Sequence, residues 1–275
     1  MALRPKCSAA DQDKRWGFIV TTEPIDVNVL RDYRPQPGEL EGRIILITGA
    51  GDGIGAALAR AIGALGATVI LTGRKVSKLE KVYDVIVENG GPTPAIAPFD
   101  LERAQGPDYD VLIDNLEKEY GRLDGLVNNA GILGERSPIE HYDQVLWQRV
   151  LHINLTGSFL MTQACMPLIR RSEDASVIFT SSGVGRRGKA YWGAYSVSKF
   201  GVEGLAQVLA DELGNNENIR VNCLNPGPTR TAMRSQAYPA ESVESNPLPE
   251  AILGPYLYLL GARGRELSGL SLDCQ

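Results

Sequence analysis

From Arg43 onward, short β-branched runs alternate with longer amphipathic stretches. The runs occupy 44–47, 68–71, 95–98, 125–127, 176–180 and 220–224, with a further short one at 268–272. Most are apolar at nearly every position, which marks strands covered on both faces. Between them, helical periodicity covers 54–65, 76–89, 108–120, a long stretch over 141–170, then 194–213 and 249–260. Strands and helices in strict alternation predict βαβ units, and six to seven of them make a doubly wound parallel α/β sheet in a single domain over residues 39–275. Residues 1–38 carry mixed charges, Pro35 and Pro37 without a sustained period, and read as an appended flexible arm. A start assigned too far upstream and a partner-binding arm both remain open for that segment. The serine-rich stretch 230–249, with Pro239 and Pro247, reads as a lid over a substrate.

Composition narrows the function classes. A net charge of −5 offers no field for a nucleic-acid backbone or an anionic membrane, so neither is expected as a partner. Cys7, Cys165, Cys223 and Cys274 are widely spaced and form no C-x-x-C pair, which points away from zinc or a disulfide framework and toward a cytoplasmic setting. No apolar stretch reaches the roughly 20 residues that span a bilayer.

The chemistry gathers at two places. The first strand runs into Thr48-Gly49-Ala50-Gly51-Asp52-Gly53-Ile54-Gly55 and then into a helix. Missing β-carbons and free N–H groups at a helix start suit a pyrophosphate, although a tight strand-to-helix turn alone needs similar residues. The second strand ends before Gly73-Arg74-Lys75 rather than at an acid. An acid there would take the 2′-hydroxyl of NAD, whereas Arg74 suits the extra phosphate of NADP, unless it is a solvated basic turn. Asp52 weighs against NADP by putting a negative charge in the glycine turn. NADP(H) is therefore the expected cofactor, with NAD(H) possible. Tyr195 and Lys199, four apart, share a helical face, so an ammonium stands near a phenol that can exchange a proton; taken alone, such a pair also fits an ordinary surface contact.

These pieces, in order and at matching spacing, resemble the classical short-chain dehydrogenase/reductase family from Leu40 to the C-terminus. The glycine turn matches 48–55, an Asn-Asn-Ala-Gly segment matches Asn128 to Gly131, a Tyr-x-x-x-Lys matches Tyr195 to Lys199, and a Pro-Gly turn matches Pro226-Gly227. The segments 179–195 and 225–234 are similar to the bacterial YciK-type branch. The resemblance implies a Rossmann-type fold and hydride transfer between NADP(H) and a small carbonyl or hydroxyl substrate. It implies Tyr195 as proton donor, Ser182 as the group orienting the substrate oxygen, Lys199 on the nicotinamide ribose, and Asn154 supporting a water relay. Cofactor contacts carry over to Gly49, Gly51, Asp52, Gly53, Ile54, Gly55, Arg74, Asp100, Leu101, Asn128, Ala130, Gly131, Tyr195, Lys199, Pro226, Gly227, Thr229 and Thr231. No metal is implied.

Other features admit two readings each. Arg186, Arg187 and Lys189 lie between Ser182 and Tyr195, where they either recruit an anionic substrate or form a solvated loop. His141 and His152 read as structural, while Trp192 reads as a pocket residue. The helices over 141–170 and 194–213 are apolar on more faces than one sheet needs, which predicts a homodimer or homotetramer. An NAD-dependent alcohol dehydrogenase, a non-catalytic nucleotide sensor and a scaffold of the same fold are the rival functions.

Overall fold

The computed structural model describes residues 26–214 and 218–275. Seven strands form one parallel sheet in the order β3-β2-β1-β4-β5-β6-β7: β1 (Ile44–Thr48), β2 (Thr68–Gly73), β3 (Ala95–Pro98), β4 (Gly125–Asn128), β5 (Ala175–Thr180), β6 (Ile219–Asn225) and β7 (Ser271–Asp273). The chain winds outward in one direction from β1 to β3, then returns to start β4 on the other side of β1. This is the doubly wound Rossmann-type topology that the alternating pattern predicts, with its crevice beyond the carboxyl ends of β1 and β4.

The strands are apolar throughout because each face is covered. Ile45 and Ile47 of β1 enter one core with Val69 and Leu71 of β2, while Ile44 and Leu46 enter the opposite core with Ile70. The first core lies against α2 (Gly53–Ala64), α3 (Val76–Glu88) and α9 (Gly254–Leu260). The second lies against α4 (Gly106–Tyr120), α6 (Gly157–Ile169) and α7 (Gly193–Leu213).

Three segments are shaped differently from their sequence pattern. The long helix expected over 141–170 is α5 (Gln144–Leu151) and α6 joined through a π-helical turn at His152–Thr156, with the Gly157 N–H bonded to the His152 carbonyl five residues back. The segment 230–249 is not wholly irregular, since Thr231 caps a short helix α8 (Ala232–Ala237) by accepting a hydrogen bond from the Arg234 N–H. Of the arm expected over 1–38, residues 1–25 lie outside the described residues. The next residues form α1 (Val27–Arg31), whose Leu30 is fully buried in the first core and whose carbonyls at Leu30 and Arg31 leave room only for glycine at position 254.

At the amino ends of the strands, Asp174 joins three arginines. Arg43 donates to its carboxylate at 2.7 Å, Arg265 forms an ion pair with it at 3.1 Å, and Arg220 pairs with its other oxygen. Arg220 is buried and also donates to the Leu259 and Gly261 carbonyls, tying β5 and β6 to the end of α9. No described helix is long and apolar enough to cross a membrane.

Candidate active site

A cavity of about 650 Å³ opens at the carboxyl ends of the strands. Its floor at one end is the turn from β1 to α2. Gly49 adopts a left-handed φ of +69°, and a β-carbon there would stand 3.0 Å from the Ala130 Cα. A β-carbon on Gly55 would come within 2.3 Å of the Gly49 carbonyl oxygen, so this residue lets the helix start close against its own turn. Gly49, Gly51, Asp52, Gly53 and Ile54 line the cavity, whereas Gly55 packs behind the turn.

Asp52 is the N-cap of α2, accepting from the Gly53 N–H at 2.8 Å, and it forms an ion pair with Lys78. The Lys78 hydrogen bond, aided by Lys75, holds its carboxyl below the ordinary range. Its charge is thus answered from within the chain. Arg74 lines the cavity with Lys75 and Lys78; among the described residues its carboxylate contact is Glu102 at 3.4 Å, and Glu102 is held more closely by Arg149 at 2.8 Å. Asp100 and Leu101 line the same end, where the Asp100 carboxylate accepts the Glu102 N–H.

Asn128, expected among the cofactor contacts, faces away from the cavity, and Asn129, for which no role was expected, lines it. Asn128 is 3% exposed, donates to Thr162 Oγ1 at 2.9 Å and does not line the cavity. Asn129, one residue further along the chain, lines it and donates to the carbonyls of Thr48 and Gly49, bracing the glycine turn. Successive strand residues face opposite sides, which turns Asn128 toward α6 and Asn129 toward the turn. Thr48 Oγ1 in turn accepts the N–H groups of Asn129 and Ala130. Ala130 and Gly131 complete this wall.

At the other end, Ser182 follows β5, and Tyr195 and Lys199 project from one face of α7; all three line the cavity. Burial pushes the Tyr195 phenol up to about 12, against the opposite pull of its hydrogen bond with Ser182, so the phenol carries its proton at neutral pH. The Lys199 ammonium lies 5.8 Å from the Tyr195 ring centroid and donates to the Thr180 carbonyl at 2.6 Å. Burial draws it down to about 8, while Cys223 and Glu203 oppose that shift.

Asn154 stands in the π-helical turn, fully buried and outside the cavity lining. Its amide donates to the Ile132 carbonyl at 2.9 Å and to Ser198 Oγ at 3.1 Å, and accepts the Ile132 N–H at 2.8 Å. Turns of this kind recur at functional sites. Here it aims one asparagine simultaneously at the β4 loop and at α7. Pro226, Gly227, Thr229 and Thr231 close the remaining side, where the Gln275 side chain donates to the Pro226 and Pro228 carbonyls. That prop lies 47 to 49 residues away in the chain and left no local signal.

Of the three cations between Ser182 and Tyr195, Arg186 is committed to structure, donating to Ser271 Oγ, Asp273 and the Leu272 carbonyl on β7 and paired with Glu203. Lys189 and Trp192 line the cavity. Among the described residues no group of three His, Cys, Asp or Glu side chains is placed to hold a metal ion.

This sheet order, a glycine turn facing its crevice and a phenol and lysine on one helix define a nucleotide-dependent oxidoreductase architecture. The family model for short chain dehydrogenases matches residues 43–242, and the chain belongs to that family. It is 44% identical to the oxidoreductase YciK of Escherichia coli (strain K12) over 243 residues, 88% of this chain and 96% of that protein. The structure of a short chain dehydrogenase from Pseudomonas syringae is 50% identical, with a TM-score of 0.88 over 89% of this chain and 99% of that one. A short chain dehydrogenase from Shigella flexneri 2a, solved in complex with NADP, is 44% identical, with a TM-score of 0.85 over 87% of this chain and all of that one.

Proposed function

We propose that this protein transfers hydride between NADP(H) and a carbonyl or hydroxyl substrate, with Tyr195 as the proton-exchanging group. The observation that carries the reading is the single cavity joining the glycine turn and the basic Arg74 corner to Tyr195, Lys199 and Ser182. The residues present fit a phosphorylated dinucleotide. The turn has no β-carbon at Gly49, Gly51 or Gly53, Arg74, Lys75 and Lys78 supply positive charge, and Asp52 is neutralised by Lys78. The related Shigella flexneri structure in complex with NADP supports the same choice.

When bound, the nicotinamide supplies or accepts the hydride, and the chain's own groups manage the proton and the substrate oxygen. Tyr195, protonated at neutral pH, donates its phenolic proton to the substrate oxygen in reduction and accepts it back in oxidation. Ser182 hydrogen-bonds that oxygen and stabilises the phenolate. Lys199, cationic below about pH 8, favours the phenolate as it forms and would hold the ribose. Asn154 is a positioning group that locks the Ile132 loop to α7 and supports the water-borne return of a proton to Lys199.

Fluorescence titration with NADPH and separately NADH tests the cofactor assignment. NADPH is expected to bind at least about tenfold more tightly, and Arg74→Ala should erase most of that margin. Binding of neither nucleotide would remove the enzyme reading and favour a scaffold role.

The same reading includes a homodimer or homotetramer built on α5, α6 and α7. Val145, Phe159, Val197, Phe200 and Val208 on these helices are 42–74% exposed. Light scattering behind gel filtration should give a dimeric or tetrameric mass, and a monomer at working concentration would reject it. We place the protein in the cytoplasm on its cysteines, since Cys165, Cys223 and Cys274 are buried and unpaired.

A further inference from the structure

The cavity continues past Tyr195 into a region of different construction. Tyr195, Trp192, Leu133 and Ala237 form a buried apolar cluster, and Met233 and Tyr238 pack against it. The Trp192 ring lies 5.7 Å from that of Tyr195 and 6.0 Å from that of Tyr238, so three aromatic rings make a row leading away from the reacting phenol.

Three cations gather at the far end of the row. The guanidinium groups of Arg234 and Arg136 lie 4.0 and 5.0 Å from the Tyr238 ring centroid, and the Lys189 ammonium lies 5.6 Å from it. They are not equivalent. Arg234 is neutralised by two hydrogen bonds to the Glu241 carboxylate. Arg136 donates to the Ala237 carbonyl at 2.6 Å and Lys189 to the Tyr238 hydroxyl at 3.1 Å, but neither has a carboxylate partner among the described residues. Elsewhere along this cavity Lys78 is paired with Asp52 and Arg74 has Glu102, while Lys75, at the nucleotide end, has no carboxylate partner among the described residues. A lone surface cation is ordinarily just solvated. Here Lys189 lines the cavity at the end of an apolar aromatic wall and the Arg136 guanidinium lies by the Trp192 and Tyr238 rings of that wall, where a ligand that fills the wall also displaces water that would screen them.

We propose that the substrate carries a carboxylate, with its apolar body lying along Trp192 and Tyr238 and the carboxylate meeting Lys189 and Arg136. The inference rests on the oxidoreductase reading for the position of the reacting oxygen at Tyr195, and adds to it the chemical class of substrate. Lys189 and Arg136 become specificity-determining residues, and the aromatic row sets the spacing between carbonyl and acid. Lys189 lines the pocket from the loop after β5, and Arg136, from the loop after β4, lies 5.4 Å and 5.0 Å from the centroids of the pocket's Trp192 and Tyr238 rings, so the anion also ties these two loops to α8.

Calorimetric titration of the full chain, saturated with NADPH, with naphthalene-2-carboxylate and with the neutral naphthalene-2-carboxamide tests this without requiring the true substrate. The carboxylate should bind at least about tenfold more tightly than the amide. That ratio should fall toward one in the Lys189→Gln, Arg136→Gln double variant and shrink as salt is raised in the unaltered protein. Equal affinities, binding of neither compound, or a preference that survives in the double variant would overturn the proposal. Tighter binding of 2-naphthyl phosphate than of the carboxylate would overturn the assignment of the anion as a carboxylate. The NADPH titration is read independently, so a lost anion preference with intact NADPH binding strikes this inference alone, and lost NADPH binding strikes the oxidoreductase reading.

Discussion

Tyr195→Phe is expected to lower kcat by about 10²–10⁴-fold while NADPH affinity stays within about twofold. The change removes one hydroxyl and keeps the ring. Tyr195 is 8% exposed and packs in the cluster with Trp192 and Leu133, so the phenylalanine ring fills the same space and the fold survives. What disappears is the proton held up to about pH 12 by burial, together with the hydrogen bond to Ser182. Steady-state kinetics beside a nucleotide titration separates the possibilities. Turnover that persists would move the proton donor elsewhere, and lost NADPH binding would mean that Tyr195 holds the cofactor rather than the reacting oxygen. A nucleotide sensor would keep its binding response in this variant and have no turnover to lose.

The second large effect concerns stability and lies at the opposite end of the sheet. Asp174→Asn should destabilise the fold by about 3–5 kcal/mol, because it leaves Arg220, 3% exposed, without its counter-charge. For a chain of this size that corresponds to a fall in Tm of about 6–20 °C. Cofactor affinity below the transition should be unchanged, since Asp174 lies just before β5 while the cavity opens beyond the strands' other ends. The pH dependence has a defined sign. Burial pushes the Asp174 carboxyl up, but the hydrogen bonds and charges of Arg43 and Arg220 override it and hold it at about 2, against an ordinary value of 3.8. Its folded-state value is depressed, so its contribution is complete above about pH 4 and is lost as pH falls toward 2. Thermal melts from pH 6 to pH 3 should show the difference between Asp174→Asn and the unaltered protein narrowing at the acid end. A constant difference would show that the asparagine acts through packing instead.

The parts of the fold legible in the chain are those with a local physical cause. A run such as Ile44–Thr48 is apolar at consecutive positions because both of its faces are covered, and that requirement is written in the residues themselves. The glycine turn is legible because a positive φ at Gly49 and the close approach at Gly55 exclude side chains. Tyr195 and Lys199 are legible because four residues make one helical turn. Other features had no such mark. The π-helical turn at Asn154 replaces a bond pattern that helical periodicity cannot resolve. Helix α8 is only six residues long, too short for periodicity to stand out beside the prolines and serines of the segment that follows it.

By itself, then, the sequence determined the order of strands and helices, the phosphate-sized turn and the phenol–lysine pair, since each depends on neighbours a few residues apart. Only the tertiary structure decided which side of each residue meets the cavity. It turned Asn128 into the core and Asn129 onto the glycine turn, committed Arg186 to Glu203 and Asp273, and left Lys189 facing the pocket without an acid among the described residues. It also neutralised Asp52 with Lys78, a residue 26 positions away. The reason is common to all four. A charge or an amide is defined by the partners that reach it, and those partners come from strands and loops that the chain brings together only on folding.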